Sequence, residues 1–198
     1  MRKFIVALAL GLLLVGLKAG TVSGETKALE EVSSFSYDVV APDLYVSDLT
    51  WDGEHLWATD PNHDKIYEID TGGNLISSFG VDSDIPFGLA WDGEYLWVDE
   101  YKSPPKIFEY DTSGNLISSF DFGPCRGMTW DEAYLWVTTL DEIYKLDTGG
   151  NVISSFNPPS SSPRGLAWDG EHFWVSDGAE RRIYSLRVTT DNEVPSYT

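Results

Sequence analysis

The chain has 198 residues, and its 32 acidic side chains outnumber its 13 basic ones, which gives a formal net charge of −19 at pH 7. Binding to nucleic acid depends on neutralising phosphates with Lys and Arg, so this composition excludes nucleic acid as a partner. The single cysteine, Cys125, cannot form an internal disulfide, so a chain long enough for one domain core must be stabilised by packing.

Residues 1–24 have the pattern of a secretory signal peptide. Arg2 and Lys3 precede an apolar run over 4–17, and a polar stretch follows it. An apolar run of this length is too short to be a good membrane span. We therefore expect a secreted protein, extracellular or periplasmic, with no membrane span after removal of the signal.

The eight tryptophans of the chain fall into four copies of one pattern, Trp-x5-Trp. The pairs are Trp51/Trp57, Trp91/Trp97, Trp130/Trp136 and Trp168/Trp174. A period of about 40 residues is typical of propellers and solenoids, in which each unit buries its apolar faces against its neighbours. No segment after the signal shows a helical period, so the sequence predicts an all-β repeat protein.

The second unit predicts four short strands, at 86–91, 95–98, 106–110 and 115–120. Asp92-Gly93 is the residue pair that a two-residue hairpin prefers. Such a hairpin would place Ala90 opposite Tyr95 and Gly88 opposite Trp97, with the missing side chain of the glycine making room for the indole. We interpret the tryptophans as the core between blades, and the alternative is a set of aromatic platforms for sugars.

The fourth unit lacks a fourth strand, and a copy of that strand lies near the start of the chain. Val-Ser-Ser-Phe at 32–35 repeats the Ile-Ser-Ser-Phe of the other units. We predict a four-bladed β-propeller whose N-terminal strand closes the last blade, since this arrangement leaves few free strand edges. The predicted domain is 25–188, with blades at 44–79, 86–120, 125–156 and 163–188 plus 29–37, and a polar tail at 189–198. A monomer is expected, or a dimer that exchanges the N-terminal strand.

The fourth unit also carries a family resemblance. It reads Pro-Arg-Gly-Leu-Ala-Trp-Asp at 163–169, Phe-Trp-Val-Ser-Asp at 173–177 and Arg-Ile-Tyr at 182–184. This pattern resembles the NHL and YVTN-type propeller repeats of the streptogramin-lyase-like superfamily. The resemblance implies a β-propeller that is commonly an extracellular or interaction module and sometimes a lyase or lactonase.

Four residues at matched positions form the candidate ligand-binding site. Each precedes the glycine of a first strand, or its equivalent in the first unit: Ser47, Phe87, Arg126 and Arg164. In a propeller these residues lead into the strands that line the central channel. Two arginines at one opening of an acidic protein suit a carboxylate or a protein side chain, whereas the alternative role is salt bridging to nearby carboxylates.

Evidence for metal binding or catalysis is thin. Asp60, Asn62 and Asp64 have the alternating oxygen ligands of a calcium loop, but the position where such loops need a glycine is Lys65. The same residues match the Asp-x-Asn-His element of the repeat. We therefore expect no cofactor, with calcium as the weaker alternative, and assign no catalytic residue.

The sequence thus predicts a secreted, non-catalytic propeller that acts as a ligand-binding or protein-interaction module. Its partner would be a protein or a small anionic ligand, with a glycan as a further option. Two alternatives stay open: a lyase or lactonase-like enzyme with a metal near the central channel, and a glycan-binding lectin. Repeat scaffolds host many activities, so the fold does not choose among them.

Overall fold

The computed structural model describes residues 34, 43–82 and 84–188, and this part of the chain contains β-strands and no helix. The strands are Leu49–Trp51 (β1), Leu56–Asp60 (β2), Lys65–Ile69 (β3), Leu75–Gly80 (β4), Pro86–Trp91 (β5), Leu96–Glu100 (β6), Lys106–Tyr110 (β7), Leu116–Asp121 (β8), Gly127–Trp130 (β9), Leu135–Thr138 (β10), Ile143–Leu146 (β11), Val152–Phe156 (β12), Pro163–Trp168 (β13), Phe173–Asp177 (β14) and Arg182–Leu186 (β15). The described part accordingly has no helix that could span a bilayer.

The strands form four antiparallel sheets arranged as a four-bladed β-propeller, which confirms the predicted fold class. Blades 1 to 3 are four-stranded, in the order β1-β2-β3-β4, β5-β6-β7-β8 and β9-β10-β11-β12, and the described part of blade 4 is β13-β14-β15. First strands of successive blades pack together: β1 on β5, β5 on β9 and β9 on β13. The predicted signal, the closing strand at 29–37 and the tail at 189–198 lie outside the described residues, except for Ser34.

The turn between the first two strands of each blade differs from the predicted two-residue hairpin. In blade 2, Ala90 pairs with Trp97, whereas the prediction paired it with Tyr95. Four residues, 92–95, therefore form the loop, and the predicted pairing of Gly88 with Trp97 is also wrong. Because side chains alternate with a period of two, this slip of two residues leaves the assignment of side chains to faces unchanged.

An aspartate side chain explains the longer loop. Asp92 Oδ1 accepts hydrogen bonds from the N–H groups of Glu94 and Tyr95, at 2.8 and 2.7 Å, and Oδ2 accepts one from Trp97 Nε1 at 2.8 Å. In the other blades, Asp52, Asp131 and Asp169 accept the same three hydrogen bonds. The carboxylate thus stabilises the four-residue loop and gives a partner to the one polar atom of the indole.

The tryptophan on the second strand belongs to the core between blades in blades 1 to 3. Trp57, Trp97 and Trp136 are only 1%, 0% and 3% exposed. Each lies in a cluster with the apolar side chains of the following blade and contacts a phenylalanine of its own fourth strand. The structure confirms the core interpretation for these three indoles and gives them no role as sugar platforms.

The first-strand glycines make room for a neighbouring blade and for a carboxylate. A Cβ on Gly127 would lie 2.5 Å from the Arg164 carbonyl oxygen, so the first strands of blades 3 and 4 approach more closely than a side chain permits. A Cβ on Gly88 would lie 2.6 Å from Asp99 Oδ1 and 3.3 Å from Met128 Cγ. The predicted role of these glycines, space for an indole across the hairpin, is therefore wrong.

Blade 1 carries Asp48 in place of this glycine, and its first strand packs differently, as predicted. Asp48 is only 7% exposed. Its Oδ1 accepts a hydrogen bond from Leu49 N at 2.9 Å, and its Oδ2 accepts one from Leu89 N, also at 2.9 Å. Because Leu89 lies on β5, the carboxylate links blades 1 and 2.

Candidate binding face

Each blade has two ends, and the predicted site lies at one of them. We call the end with the four-residue Asp turns the hairpin end, and the opposite end, with 61–64, 101–105 and the segments leading into the first strands, the loop end. At the loop end, neighbouring segments bond to one another: Tyr101 N donates to Ile85 O at 3.1 Å, and Ile85 N donates to Asp64 Oδ1 at 3.1 Å. The second bond joins blade 1 to blade 2.

Ser47 and Phe87, from adjacent blades, are in direct contact. Ser47 Oγ donates to the Phe87 carbonyl at 3.0 Å and lies 2.8 Å from Thr59 Oγ1. Thr59 Oγ1 donates to the same carbonyl at 2.8 Å. The Phe87 carbonyl is therefore held by two hydroxyls of blade 1, which leaves its ring, 36% exposed, at the surface.

The same arrangement recurs between blades 3 and 4. Thr138 Oγ1 donates to the Arg164 carbonyl at 2.6 Å, and Arg126 N donates to Thr138 O at 2.7 Å. All four predicted residues thus sit at equivalent backbone positions at the loop end. The backbones of Phe87 and Arg164 are held by a hydroxyl of the neighbouring blade, and those of Ser47 and Arg126 by their own second strand. The structure records no side-chain contact between the Ser47–Phe87 pair and the two arginines.

The two arginines form no ion pair with any carboxylate among the described residues. Arg164 is exposed and lies over Gly178, and Arg126 is half-buried. Four carboxylates at the strand ends, which could have been salt-bridge partners, have other hydrogen-bond donors: Asp60 bonds to His63, Glu100 to the N–H of Asp84, Asp99 to that of Gly88 and Asp177 to those of Ser162 and Glu180. The guanidinium groups are therefore available to a ligand.

Exposed apolar side chains surround this end of the first three blades. The Phe87 and Tyr101 rings contact each other at a centroid distance of 5.6 Å, and Tyr101 is 53% exposed. The other members are Tyr45, Ile85 and Leu140, which are 53%, 42% and 50% exposed. Ile85 has φ 66°, a conformation that a β-branched residue adopts only when its surroundings hold it there.

A cavity of about 350 Å³ lies beside the aromatic pair on blade 2. Its lining is Asp82, Glu100, Lys102, Ser103, Pro104, Lys106 and Phe108. Lys102 pairs with Asp84 and Lys106 with Asp121, so both ammonium groups already have carboxylate partners. Neither lysine of the cavity is therefore free to bind a ligand carboxylate.

Two buried carboxyl groups, those of Asp48 and Asp99, lie just beneath the loop end. The sequence did not lead us to expect the buried carboxyl group of Asp99. Burial raises the pKa of both Asp48 and Asp99 to about 7, and the Asp99 charge adds to the effect on Asp48. Asp99 Oδ2 is buried and has no hydrogen-bond acceptor or donor assigned among the described residues. Asp99 occupies the position of Thr59 and Thr138, and this departure from the repeat was the available sequence signal.

The remaining candidate metal ligands have structural partners. Asp52, His55 and Glu68 bring ligand atoms within 4.8 Å of one another, with His55 Nδ1 at 2.9 Å from Glu68 Oε1. However, Asp52 is the turn carboxylate of blade 1. Burial alone would raise its pKa, but hydrogen bonds from the His55 N–H and the Trp57 indole lower it. The position of Asp52 beside His55 is therefore explained by the four-residue turn that every blade shares.

The acidic residues at 60–64, for which calcium binding was the weaker alternative, likewise form hydrogen bonds within the protein. Asp60 Oδ1 accepts a hydrogen bond from Asn62 N at 2.9 Å, and its Oδ2 lies 2.6 Å from His63 Nδ1. Asp64 bonds to Ile85 of the next blade. The spacing of the acidic residues is therefore explained by the hydrogen bonds that they accept within the loop and from the next blade.

Comparisons with known proteins support the fold. No family model matches the chain, and no curated protein matches it. Among solved structures, glutaminyl cyclase from Myxococcus xanthus superposes with a TM-score of 0.64 at 11% identity, over 75% of this chain and 68% of that one. A catalytically inactive variant of virginiamycin B lyase from Staphylococcus aureus with quinupristin gives 0.58 at 20% identity, over 79% and 56%.

The WD40 repeats of RRP9 superpose with a TM-score of 0.62 at 13% identity, over 80% of this chain and 52% of that one. The chain thus spans about half the length of the lyase and WD40 proteins that it matches. The set contains both enzymes and a WD40 propeller, so it does not determine whether this chain is catalytic. What these likenesses show is a β-propeller fold, consistent with the NHL and YVTN-type resemblance of the repeats.

Proposed function

We propose that this protein is a secreted, non-catalytic propeller that binds another protein through its loop end. The face consists of the aromatic pair Phe87 and Tyr101, their apolar neighbours, and Arg126 and Arg164. The observation that carries the proposal is the combination of exposed aromatic rings with two arginines that have no carboxylate partner, in a chain of net charge −19.

The composition of this face is that of protein interfaces. Tyr, Phe and Arg are enriched in interfaces, and buried anchors of these types carry much of the binding energy. An unpaired guanidinium can hold a carboxylate with two parallel hydrogen bonds. A ligand with a carboxylate next to an apolar side chain fits both features, whereas nucleic acid phosphates would face the acidic remainder of the surface.

The backbone beneath the face is rigid. The lead-in segments are bonded to neighbouring blades through hydroxyl-to-carbonyl bonds such as Thr59 to Phe87 and Thr138 to Arg164. A surface that is ordered before binding loses little entropy when the ligand docks. This rigidity supports a binding role in which side chains at variable positions are presented by a repeated scaffold.

The test starts from a random-peptide display selection on the mature protein, followed by calorimetric titration of the selected peptide. We expect Arg126→Gln together with Arg164→Gln to weaken binding at least tenfold, which corresponds to about 1.4 kcal/mol, and to leave the melting temperature unchanged. Arg187→Gln, at an exposed arginine of blade 4 that pairs with Glu171, is the control and should bind like the parent protein.

Two results would overturn the proposal. One is a selected peptide whose affinity is the same for the Arg126/Arg164 variant and the parent. The other is turnover: incubation of the protein with quinupristin, the compound found with the similar lyase, should leave both the chromatographic retention and the ultraviolet spectrum of the compound unchanged. A new species of the same mass that depends on the protein would favour the lyase alternative, because elimination within a ring opens it without adding atoms.

A further inference from the structure

No described residue covers the face of blade 4 that would meet a following blade, although the same positions are buried in every other blade. We call it the trailing face and define it by Trp174 on β14 and Ile183 on β15. Trp174 is 39% exposed, whereas its equivalents Trp57, Trp97 and Trp136 are at most 3% exposed. Ile183 is 69% exposed, and its equivalents on β3, β7 and β11 are at most 4% exposed.

The internal interfaces show what chemistry covers this position. In each of them the tryptophan and isoleucine pack against the first and second strands of the following blade, for example Trp57 and Ile66 against Leu89, Leu96 and Val98. On blade 1 we call Leu49 and Leu56, on the first two strands, the leading face; the third equivalent position, Ala58, is already buried with Leu44, Tyr67 and Ile69. Leu49 and Leu56 are only half-buried, whereas their equivalents in blade 2 are 2% and 0% exposed.

Within one chain these two faces are not packed together. The described first strands pack as β1 on β5, β5 on β9 and β9 on β13, and no comparable packing joins β13 to β1. The lyase and WD40 propellers on which the chain superposes are longer than the chain, and the superposed part covers 56% and 52% of them, so four blades follow about half of such a ring. Since propellers range up to eight blades, two half rings can close into one.

We propose that two copies of this chain associate head to tail, with the trailing face of blade 4 of each copy on the leading face of blade 1 of the other. The result is a closed eight-bladed ring with two equal interfaces. A head-to-tail contact closes into a ring when the rotation fits and otherwise grows into a filament, so a closed half-turn geometry predicts a dimer and no larger species.

Charge also suits a second copy. Arg181 and Arg182 directly precede Ile183, and both are exposed at this edge of a chain with net charge −19; Arg182 lies 4.0 Å from Glu180, whereas Arg181 has no ion pair among the described residues. Most of the surface would repel another copy, whereas this edge would attract it. We therefore expect salt to weaken dimer formation less than it would weaken a purely ionic contact, because the centre of the interface is an indole and an isoleucine.

The experiment is sedimentation equilibrium of the mature protein across micromolar concentrations. We expect twice the chain mass, and we expect Ile183→Asp to give a monomer with unchanged circular dichroism, because this side chain is exposed in the single chain. Ile153→Asp is the matched control, since Ile153 is 48% exposed on the outer strand of blade 3, and it should stay dimeric.

A mixing experiment separates this arrangement from other dimers. Leu49→Asp disables the leading face, so this variant and Ile183→Asp should each be monomeric alone and form a one-to-one pair together, through the one intact interface. Acrylamide quenching of Trp174 fluorescence, measured with the buried tryptophans as reference, should fall as concentration rises. A parent protein that is monomeric throughout, or a dimer that Ile183→Asp does not dissociate, would overturn the proposal.

Discussion

The hairpin end and the loop end of the blades follow opposite rules. At the hairpin end, every blade repeats one arrangement, in which an aspartate accepts two backbone N–H groups and one indole N–H. At the loop end, equivalent positions carry Ser47, Phe87, Arg126 and Arg164. Repetition marks what the fold requires of every blade, and variation marks where the chain is free to specialise.

A second difference concerns where the blades meet. The hairpin end and the middle of each blade are filled by apolar side chains, whereas just beneath the loop end the blades are joined by polar bonds, such as Thr59 to the Phe87 carbonyl. Asp99 replaces the hydroxyl in blade 2. Substitutions at the repeated positions should therefore change folding, and those at the variable positions should change titration or binding.

The largest expected effect is at the repeated core. Trp97→Ala removes a fully buried indole and should lower the free energy of unfolding by about 3–5 kcal/mol, because the cavity and the lost contacts add. Urea denaturation checks this. Trp174→Ala is the matched control on blade 4; the indole is partly exposed in the single chain, so in a background kept monomeric by Ile183→Asp the loss should be smaller. Equal losses for the two variants would show that the buried indole of Trp97 stabilises the fold no more than the partly exposed indole of Trp174.

The next effect concerns the buried carboxyl group of Asp99. Its folded-state pKa of about 7 lies above its ordinary value of 3.8, so the folded protein keeps a proton that the unfolded chain releases between these values. The contribution of this group to stability is therefore full below pH 4 and is lost as pH rises to about 7, by on the order of 4 kcal/mol for one isolated group.

Asp99→Asn keeps the shape of the protonated acid without its titration. We expect this variant to be more stable than the parent at pH 8 and to lose much of the slope between pH 4 and 7, with the rest due to Asp48. Thermal melts across this range measure both. Asp121→Asn, at an exposed position, serves as the control. Parallel curves for Asp99→Asn and the parent would show that the Asp99 carboxyl group does not titrate in this window.

The smallest of the three effects is at the hairpin. Asp92→Ala leaves the buried Trp97 Nε1 and two backbone N–H groups without their acceptor, so we expect a loss of about 1–3 kcal/mol. Glu94→Ala changes an exposed neighbour in the same loop and should cost far less. Denaturant midpoints compare the two. A similar small cost for both would mean that the aspartate is not what holds the four-residue loop.

Parts of the candidate face could be predicted and parts could not. Ser47, Phe87, Arg126 and Arg164 follow from counting along the repeat, because equivalent positions in a propeller lie at the same end. Tyr101 was not predicted, because it becomes part of the face only when its loop folds back onto Phe87. The same limit applies to Asp48 and Asp99, whose raised pKa values result from burial between blades.

The sequence by itself determined the repeat, the strand character and the number of blades, because a period of about 40 residues with paired tryptophans and strand-like segments is visible without coordinates. Only the tertiary structure decided the length of the hairpin, the reason for the glycines and the exposure of the trailing face. Each of these depends on atoms that are distant in sequence, such as the Arg164 carbonyl beside Gly127. A local pattern can show which residues a blade contains, but burial depends on which blade lies next to it.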